Sequence, residues 1–193
     1  MIDKNIRFLL LIPLLSSCNS LFSNQSIDYL ANYVRGFNDE QIVERNLAES
    51  EFTFATVQFG RGPISTVVLA YIEGDTYEWH SADGIKLFTK RGVLTQTLGL
   101  ESNMKATSFD LTRTNSTSTF TSFDNPDLIF AETFNYISKE INGKNTIYYQ
   151  EVNIPLIRWS AKNKYVFRND LPISTEQFVH PHLPKIKLKY YYK

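Results

Sequence analysis

The sequence predicts a mainly β protein: a single antiparallel meander that forms a curved sheet or half-barrel, of the β-sandwich or open-barrel type, with an N-terminal helix. Two observations predict the sheet. The hydrophobic period changes from about 3.6 residues to two near Phe52, and turn-forming glycines then recur at the spacing of a β-meander. These glycines are Gly62, Gly74, Gly84, Gly92 and Gly99.

The N-terminus has the three parts of a bacterial export signal. Lys4 and Arg7 form a short basic region, and an apolar run follows from Phe8 to Leu15. A membrane-spanning helix needs about 20 apolar residues, so this run is too short to be a transmembrane anchor. We therefore expect residues 1–17 to be a signal peptide that is removed.

The segment Leu15-Ser16-Ser17-Cys18 has the pattern of a lipobox, in which a branched aliphatic residue and two small residues precede a cysteine. We expect cleavage between Ser17 and Cys18, followed by lipid attachment to the cysteine. Cys18 is the only cysteine in the sequence, so a disulfide within the chain is excluded. Two or three acyl chains on one residue anchor a protein durably. The alternative is an unprocessed N-terminal element with an inert, buried thiol.

The residues after the cysteine predict a location and a domain organisation. Asn19 replaces the aspartate that usually retains lipoproteins in the inner membrane, so we expect the outer membrane, on its periplasmic face. Residues 18–25 are small and polar, which is typical of a flexible tether. Residues 26–193 are expected to form one mainly β domain, since a chain of this size usually forms one core.

A helix is predicted directly after the tether. Ser26 can cap its N-terminus, and Gly36 follows its last turn. A second, weaker helical pattern runs from Asp39 to Ala48. The apolar stripe of the first helix recurs at helical spacing and consists of Ile27, Leu30, Ala31 and Val34.

Strands are predicted from Phe52 onward. The first five are Phe52–Phe59, Ser65–Glu73, Thr76–His80, Ile85–Lys90 and Val93–Leu98. Ten of the sixteen residues from Thr107 to Ser122 are serine or threonine, which suits either a linker or, as we prefer, irregular edge strands. The later predicted strands are Leu128–Ser138, Thr146–Val152, Leu156–Ala161, Tyr165–Arg168 and Ile186–Tyr191.

Charge balance argues against a nucleic-acid partner. Without Lys4, Arg7 and Asp3 of the leader, the 20 basic and 20 acidic side chains become 18 and 19. Such a chain lacks the positive field that nucleic-acid binding needs. A run of C-terminal lysines alternates with apolar residues, which indicates the solvated face of a strand; contact with anionic lipid or polysaccharide is the alternative. These are Lys185, Lys187, Lys189 and Lys193.

Motifs for catalysis, metal binding or cofactor binding are absent from the sequence, so we expect no enzyme and no cofactor. His180 and His182 lie two residues apart without a third ligand in sight, and we interpret them as part of a surface turn. The segment from Trp79 to Asp83 contains histidine, serine and aspartate side by side. Hydrolase triads assemble from distant segments, so we do not interpret this segment as catalytic.

Aromatic residues make up 14% of the chain. Rings along a groove bind sugars or single-stranded nucleic acid, and Tyr71, Tyr77 and Trp79 are the candidates for contact with a glycan or a partner. The alternative is that these rings simply fill the core of a β domain.

Segments in both halves of the predicted sheet follow the pattern of a known family. The N-terminal segments are Phe54-Ala55, Val67–Ala70, Trp79 with Ser81–Gly84, and Gly92–Leu100. The C-terminal ones are Trp159, Asn163, Tyr165-Val166, Ser174, Gln177, Pro181 and Leu183-Pro184.

Together these segments resemble the YjbF/GfcB family of lipoproteins. The resemblance implies a role in assembling or exporting surface polysaccharide, because genes of that family accompany capsule or exopolysaccharide secretion systems. It offers no catalytic residue, and only the lipid-bearing cysteine transfers, to Cys18.

Three classes of function follow from these expectations. The first is a non-enzymatic accessory factor of polysaccharide export, bound to the membrane through its lipid and to export proteins or the polysaccharide itself. The alternative is a lipid or lipoprotein carrier with a LolA-like half-barrel, whose concave face would be wholly aliphatic. A glycan-modifying enzyme, the third, would need paired carboxylates across a cleft.

Overall fold

The computed structural model describes residues 51–107, 110–113, 116–125 and 127–193. In this part of the chain, twelve antiparallel strands form a closed barrel in which each strand pairs with the next and the last pairs with the first. The 3-10 helix Pro155–Ile157 joins the ninth strand to the tenth. The strands are β1 Phe54–Phe59, β2 Ile64–Glu73, β3 Thr76–Ser81, β4 Lys86–Lys90, β5 Val93–Leu98, β6 Met104–Ala106, β7 Thr117–Phe123, β8 Ile129–Asn142, β9 Asn145–Ile154, β10 Trp159–Arg168, β11 Leu171–Gln177 and β12 Ile186–Tyr191.

The mainly β class and the antiparallel meander are confirmed, but the predicted open sheet, half-barrel or sandwich is wrong. β1 pairs with β12 from Phe54↔Tyr191 to Phe59↔Ile186 while its other side pairs with β2. Closure satisfies the backbone groups that an open sheet would leave unpaired at its two edges. The alternation of residues along a strand is the same in an open sheet and a closed one, so it did not reveal this pairing.

The predicted helix over residues 26–36, the weaker helical pattern over 39–48, the tether and Cys18 lie outside the described residues. Residues 26–50 of the expected domain therefore have no structural counterpart to compare with the prediction.

Two predicted strands form one strand in the structure. β6 and β11 were not predicted, and β7 lies in the segment predicted to form irregular edge strands. Leu156–Ala161 and Tyr165–Arg168 belong to one strand, β10, which begins after a turn that Pro155 opens and Arg158 ends at a φ of 51°. β11 was missed because Pro172 lies near its start, where the register shifts: Val166 pairs with Ser174 and Phe167 with Pro172, which leaves Ile173 of β11 as an extra residue. β7, expected to be an edge strand, lies between β6 and β8.

The barrel has two rims. We call the rim at which β1 starts the N-terminal rim; it also holds the end of β12 and the turns after β2, β4, β6, β8 and β10. The Lys193 backbone N–H donates to Thr53 Oγ1 at 3.2 Å on this rim. Here Gly92 has a φ of 79°, and a Cβ at that position would lie 2.8 Å from Pro172 Cβ. The opposite rim holds the remaining turns.

The main apolar core cluster has most of its members on β1 to β5 and β12 and extends to β6 to β9, and a second, smaller cluster includes residues of β8 to β10. The centre of the main cluster is Trp79, 1% exposed, whose indole Nε1–H donates to Thr89 Oγ1 at 2.8 Å and whose ring lies 5.4 Å from that of Tyr190. Other fully buried members are Ala55, Val67, Leu87 and Ile186. Burying such side chains is the main stabilising contribution to the fold.

Within the described residues, no helix is both long and apolar enough to cross a bilayer.

Candidate functional site

A buried polar network lies among apolar side chains on the side of the barrel interior formed by β7 to β11. Gln150 is the centre of a hydrogen-bond network: its Nε2 donates to Asn135 Oδ1 at 2.6 Å, and its Oε1 accepts from Asn163 Nδ2 at 3.0 Å and from the Tyr165 hydroxyl at 2.6 Å. All four side chains are buried. Neutral groups pair with one another here, as buried polar groups must. The network continues through the hydroxyls of Thr119, Thr121 and Thr133.

A cavity of about 40 Å³ lies among these side chains. One water needs about 10–15 Å³, so the cavity has room for about three waters and for neither a sugar nor an acyl chain. No Asp, Glu, Lys, Arg or His residue is among those that line it. Burial raises the pKa of Tyr165, which keeps its phenol protonated. This cavity therefore offers hydrogen bonds but, among the described residues that line it, no charged group, and it has no space for a large ligand.

The three candidate aromatic residues do not form one platform. Trp79 is in the core, as the core interpretation held, and Tyr77 is half-buried beside it with ring centroids 6.1 Å apart. Tyr71 is 65% exposed on the outer surface. A register shift in β2 between Leu69 and Tyr71 explains the difference, because it pairs Tyr71 with the outward-facing Glu78.

Tyr71 belongs to a small outer patch on β2, β3 and β4, which we call the Tyr71 patch. Glu78 Oε1 accepts from His80 Nε2 at 2.6 Å and from Lys86 Nζ at 3.2 Å. The hydrogen bond from His80 is the main cause that holds the pKa of Glu78 below its usual value. Tyr71 packs edge-on to His80, and a surface depression of about 380 Å³ adjoins it. An exposed ring beside a fixed carboxylate suits a sugar.

The residue types of a hydrolase triad in this segment are not linked as a triad. The Ser81 hydroxyl donates to the Asp83 carboxylate, whereas the His80 imidazole is bonded to Glu78. A nucleophilic serine needs its hydrogen bond to the imidazole, so these contacts do not activate Ser81.

The prediction that both histidines lie on the surface is wrong for His180, which is 1% exposed. His182 is exposed. The His180 ring packs edge-on against Phe123 at 4.9 Å, and its Nδ1 accepts from the His182 backbone N–H at 3.1 Å. Burial lowers the pKa of His180. In the portion of the chain described here, no three His, Cys, Asp or Glu side chains come together as metal ligands.

An exposed aromatic surface that the sequence did not predict lies on β7 and β8, and we call it the outer aromatic face. It consists of Phe120, Phe130, Phe134 and Tyr136, which are 43–67% exposed. The alternate residues of the same strands point inward and include both polar side chains, such as Thr133 and Asn135, and apolar ones. Alternation along these strands was visible in the sequence, but it did not reveal that the aromatic side faces water.

The outer aromatic face has both flat rings and polar edges. Phe120 and Phe130 stack with centroids 5.1 Å apart and planes 3° from parallel. Glu132 pairs with Phe120 across the strands and accepts a hydrogen bond from the Ser118 hydroxyl. Tyr136 lies opposite Glu151.

A polar surface depression of about 590 Å³ adjoins this face, with Glu151, Asn153, Ser160 and Lys162 among its lining residues. Glu151 and Lys162 form an ion pair of 2.7 Å there. The arrangement places apolar ring surface next to hydrogen-bonding groups, as binding to the two faces of a saccharide requires.

Comparison with known proteins identifies a family and a similar fold. The family model described as group 4 capsule polysaccharide lipoprotein gfcB, YjbF matches residues 27–126. The crystal structure of the hypothetical lipoprotein YmcC from Escherichia coli K12 is similar, with a TM-score of 0.67 and 16% sequence identity, over 89% of this chain and 96% of that chain. At this identity, the likeness shows the shared fold. No curated protein matches at a significant level.

Proposed function

This chain belongs to the YjbF family of group 4 capsule polysaccharide lipoproteins, and from that membership we propose that it is a lipid-anchored, non-enzymatic accessory factor in the assembly or export of surface polysaccharide. The observation that supports this proposal best is the outer aromatic face, since the cavity among the buried polar side chains is too small for a sugar. The ligand or partner then binds to the outside of the barrel.

The proposed anchor is a lipid on Cys18, exposed when the leader is cut after Ser17. Residues 18–25 then act as a tether, and residues 26–193 form the functional domain. Asn19 supports placement in the outer membrane on the periplasmic face. From there, the protein meets the polysaccharide after its synthesis, during passage to the cell surface.

The proposed contacts are the exposed rings. Phe120, Phe130, Phe134 and Tyr136 present apolar surface for the C–H faces of sugar rings, and the adjoining polar depression offers partners for hydroxyl groups. Tyr71 provides a second contact on β2, beside the Glu78 carboxylate. An export protein with an apolar patch would use the same outer aromatic face.

The carrier alternative has less support. A LolA-like carrier needs an open half-barrel with an aliphatic concave face, whereas this barrel is closed and its cavity of about 40 Å³ has a mixed lining that includes Asn135, Gln150 and Asn163. No observation on the described residues favours an acyl chain inside it.

The proposal is tested by deleting the gene and complementing it with variants. Deletion should reduce surface polysaccharide and leave cytoplasmic sugar-nucleotide pools unchanged, because the protein acts after synthesis. The Phe130→Ala/Tyr136→Ala double variant should fold and reach the membrane but fail to restore the polysaccharide. The matched control is Ile141→Ala/Leu156→Ala, which truncates two exposed apolar side chains elsewhere. Normal surface polysaccharide in the deletion strain would reject the export role.

A further inference from the structure

A polar depression of about 470 Å³ lies on the N-terminal rim. It is bounded by the turns after β2 and β4 and by the start of β7. Three cations line it, Lys90, Arg91 and Arg113, together with two carboxylates, Asp75 and Asp110. The depression borders the outer aromatic face at Ser118, whose hydroxyl donates to Glu132.

Ion pairing within the depression leaves two guanidinium groups without a direct carboxylate contact, and its three cations and two carboxylates leave one excess positive charge. Lys90 Nζ lies 2.9 Å from Asp75 Oδ2, so these two charges neutralise each other. Asp110 accepts hydrogen bonds from the backbone N–H and the hydroxyl of Thr112, which are the main causes that hold its pKa below the usual value, and the charges of Arg91 and Arg113 lower it further. For neither Arg91 nor Arg113 does a carboxylate of the described residues lie within 4.0 Å of the guanidinium.

We propose that this depression binds the oxyanion of an acidic saccharide, a uronate carboxylate or a sugar phosphate, through Arg91 and Arg113. The inference rests on the proposed function and deepens it by naming the charge class of the glycan. Arginine suits the role because its planar guanidinium stays charged and matches a carboxylate or phosphate with two parallel hydrogen bonds. A neutral sugar would leave the excess positive charge of the depression uncompensated.

The test uses the acylated mature protein in phosphatidylcholine vesicles, titrated with oligogalacturonate or with an uncharged oligoglucose of equal length. Oligogalacturonate should bind, and the uncharged sugar should bind much more weakly. The Arg91→Gln/Arg113→Gln variant should bind oligogalacturonate about tenfold less tightly or worse, as expected for losing charge-assisted hydrogen bonds.

The matched control is Arg61→Gln/Arg158→Gln, which removes two guanidiniums from the opposite rim. Arg158 and Arg91 both have positive φ, 51° and 48°, so each pair includes one substitution in a left-handed conformation. The control should bind oligogalacturonate within about twofold of the wild type. Both double variants remove the same net charge, so a loss of nonspecific attraction should affect them alike. An equal loss in both double variants, or equal affinity for the uncharged sugar, overturns the site.

Phosphate groups of lipids offer the same chemistry, so a further experiment separates the two sources. Replacing part of the phosphatidylcholine by phosphatidylglycerol should leave oligogalacturonate bound. Displacement that depends on Arg91 and Arg113 would assign the depression to lipid phosphate and overturn the glycan assignment. A deletion strain with reduced surface polysaccharide, combined with no oligogalacturonate binding, would reject this site while the export role stands.

Discussion

The Tyr165 hydroxyl donates a hydrogen bond of 2.6 Å to Gln150 Oε1 inside the barrel, and the same oxygen accepts a second hydrogen bond from Asn163. One amide oxygen thus joins β9 to two side chains of β10. This contact links the buried polar network across β9 and β10.

Tyr165→Phe removes one donor to Gln150 and should lower the free energy of unfolding by about 1–2 kcal/mol, the usual range for a buried hydrogen bond. Urea unfolding measures the change. The control is Tyr149→Phe, which removes an exposed hydroxyl bonded to Glu140 at 3.1 Å and should change stability by about 0.5 kcal/mol or less. Equal effects of the two variants would contradict a structural role for the interior network.

Alkaline pH should destabilise the barrel. Burial raises the pKa of Tyr165, Tyr190 and Tyr192 above the ordinary value of 10.0. Above pH 10 the unfolded chain releases these protons while the folded chain keeps them, so stability present below pH 10 is lost as pH rises towards the raised values. Each tyrosine contributes a slope of up to about 1.4 kcal/mol per pH unit.

The measurement is urea unfolding at several pH values between 9 and 11. Tyr165→Phe should reduce the slope of stability against pH. The control, Phe167→Leu, changes a buried ring that has no ionisable group, so it should lower stability without changing the slope. A slope that stays the same in Tyr165→Phe would show that this phenol does not cause the pH dependence.

Trp79→Ala should lower the free energy of unfolding by about 3–5 kcal/mol, because the ring is buried in the core and its removal leaves a cavity. Tyr71→Ala, at a site that is 65% exposed on the neighbouring strand, should change stability by about 0.5 kcal/mol or less. Thermal or urea unfolding measures both. A small effect of Trp79→Ala would contradict the core position of this ring.

Cys18→Ala should release the protein from the membrane fraction, because it removes the proposed acceptor of the lipid. Fractionation followed by immunodetection measures the distribution, and the intact mass of the wild-type protein should show acyl chains on residue 18. The control is Ser20→Ala, a nearby substitution that keeps the cysteine. Residues 1–17 still attached in the mature wild-type protein would contradict the prediction.

Local sequence patterns predicted the strands well where alternation and turn residues agreed, as in the hairpins around Gly74, Gly84 and Gly92. They failed where one residue changes the face of a strand. The register shift before Tyr71 turns its ring outward, although its spacing from Leu69 predicts a shared face. A one-residue shift is enough because side chains alternate with a period of two.

The candidate site was the least predictable part. Phe120 and Phe130 stack on the outer surface. Their positions in the alternation of β7 and β8 would equally allow both rings to face the core. Which side of a strand faces water depends on the whole barrel, and local alternation does not contain that information. The buried polar network is also non-local, since Gln150 contacts Asn135 and Tyr165, each 15 residues away in the chain.

Barrel closure has a consequence for the order of folding. Phe54 and Tyr191 are paired across the seam although they are 137 residues apart in the chain. Pairing between such distant residues is slow, because a long loop must be ordered first. If the chain is exported from its N-terminus onward, β1 waits for its last partner until β12 has crossed the membrane. During that time the first strand has an open edge to which other strands can add, so prompt release of the C-terminus protects the protein from aggregation.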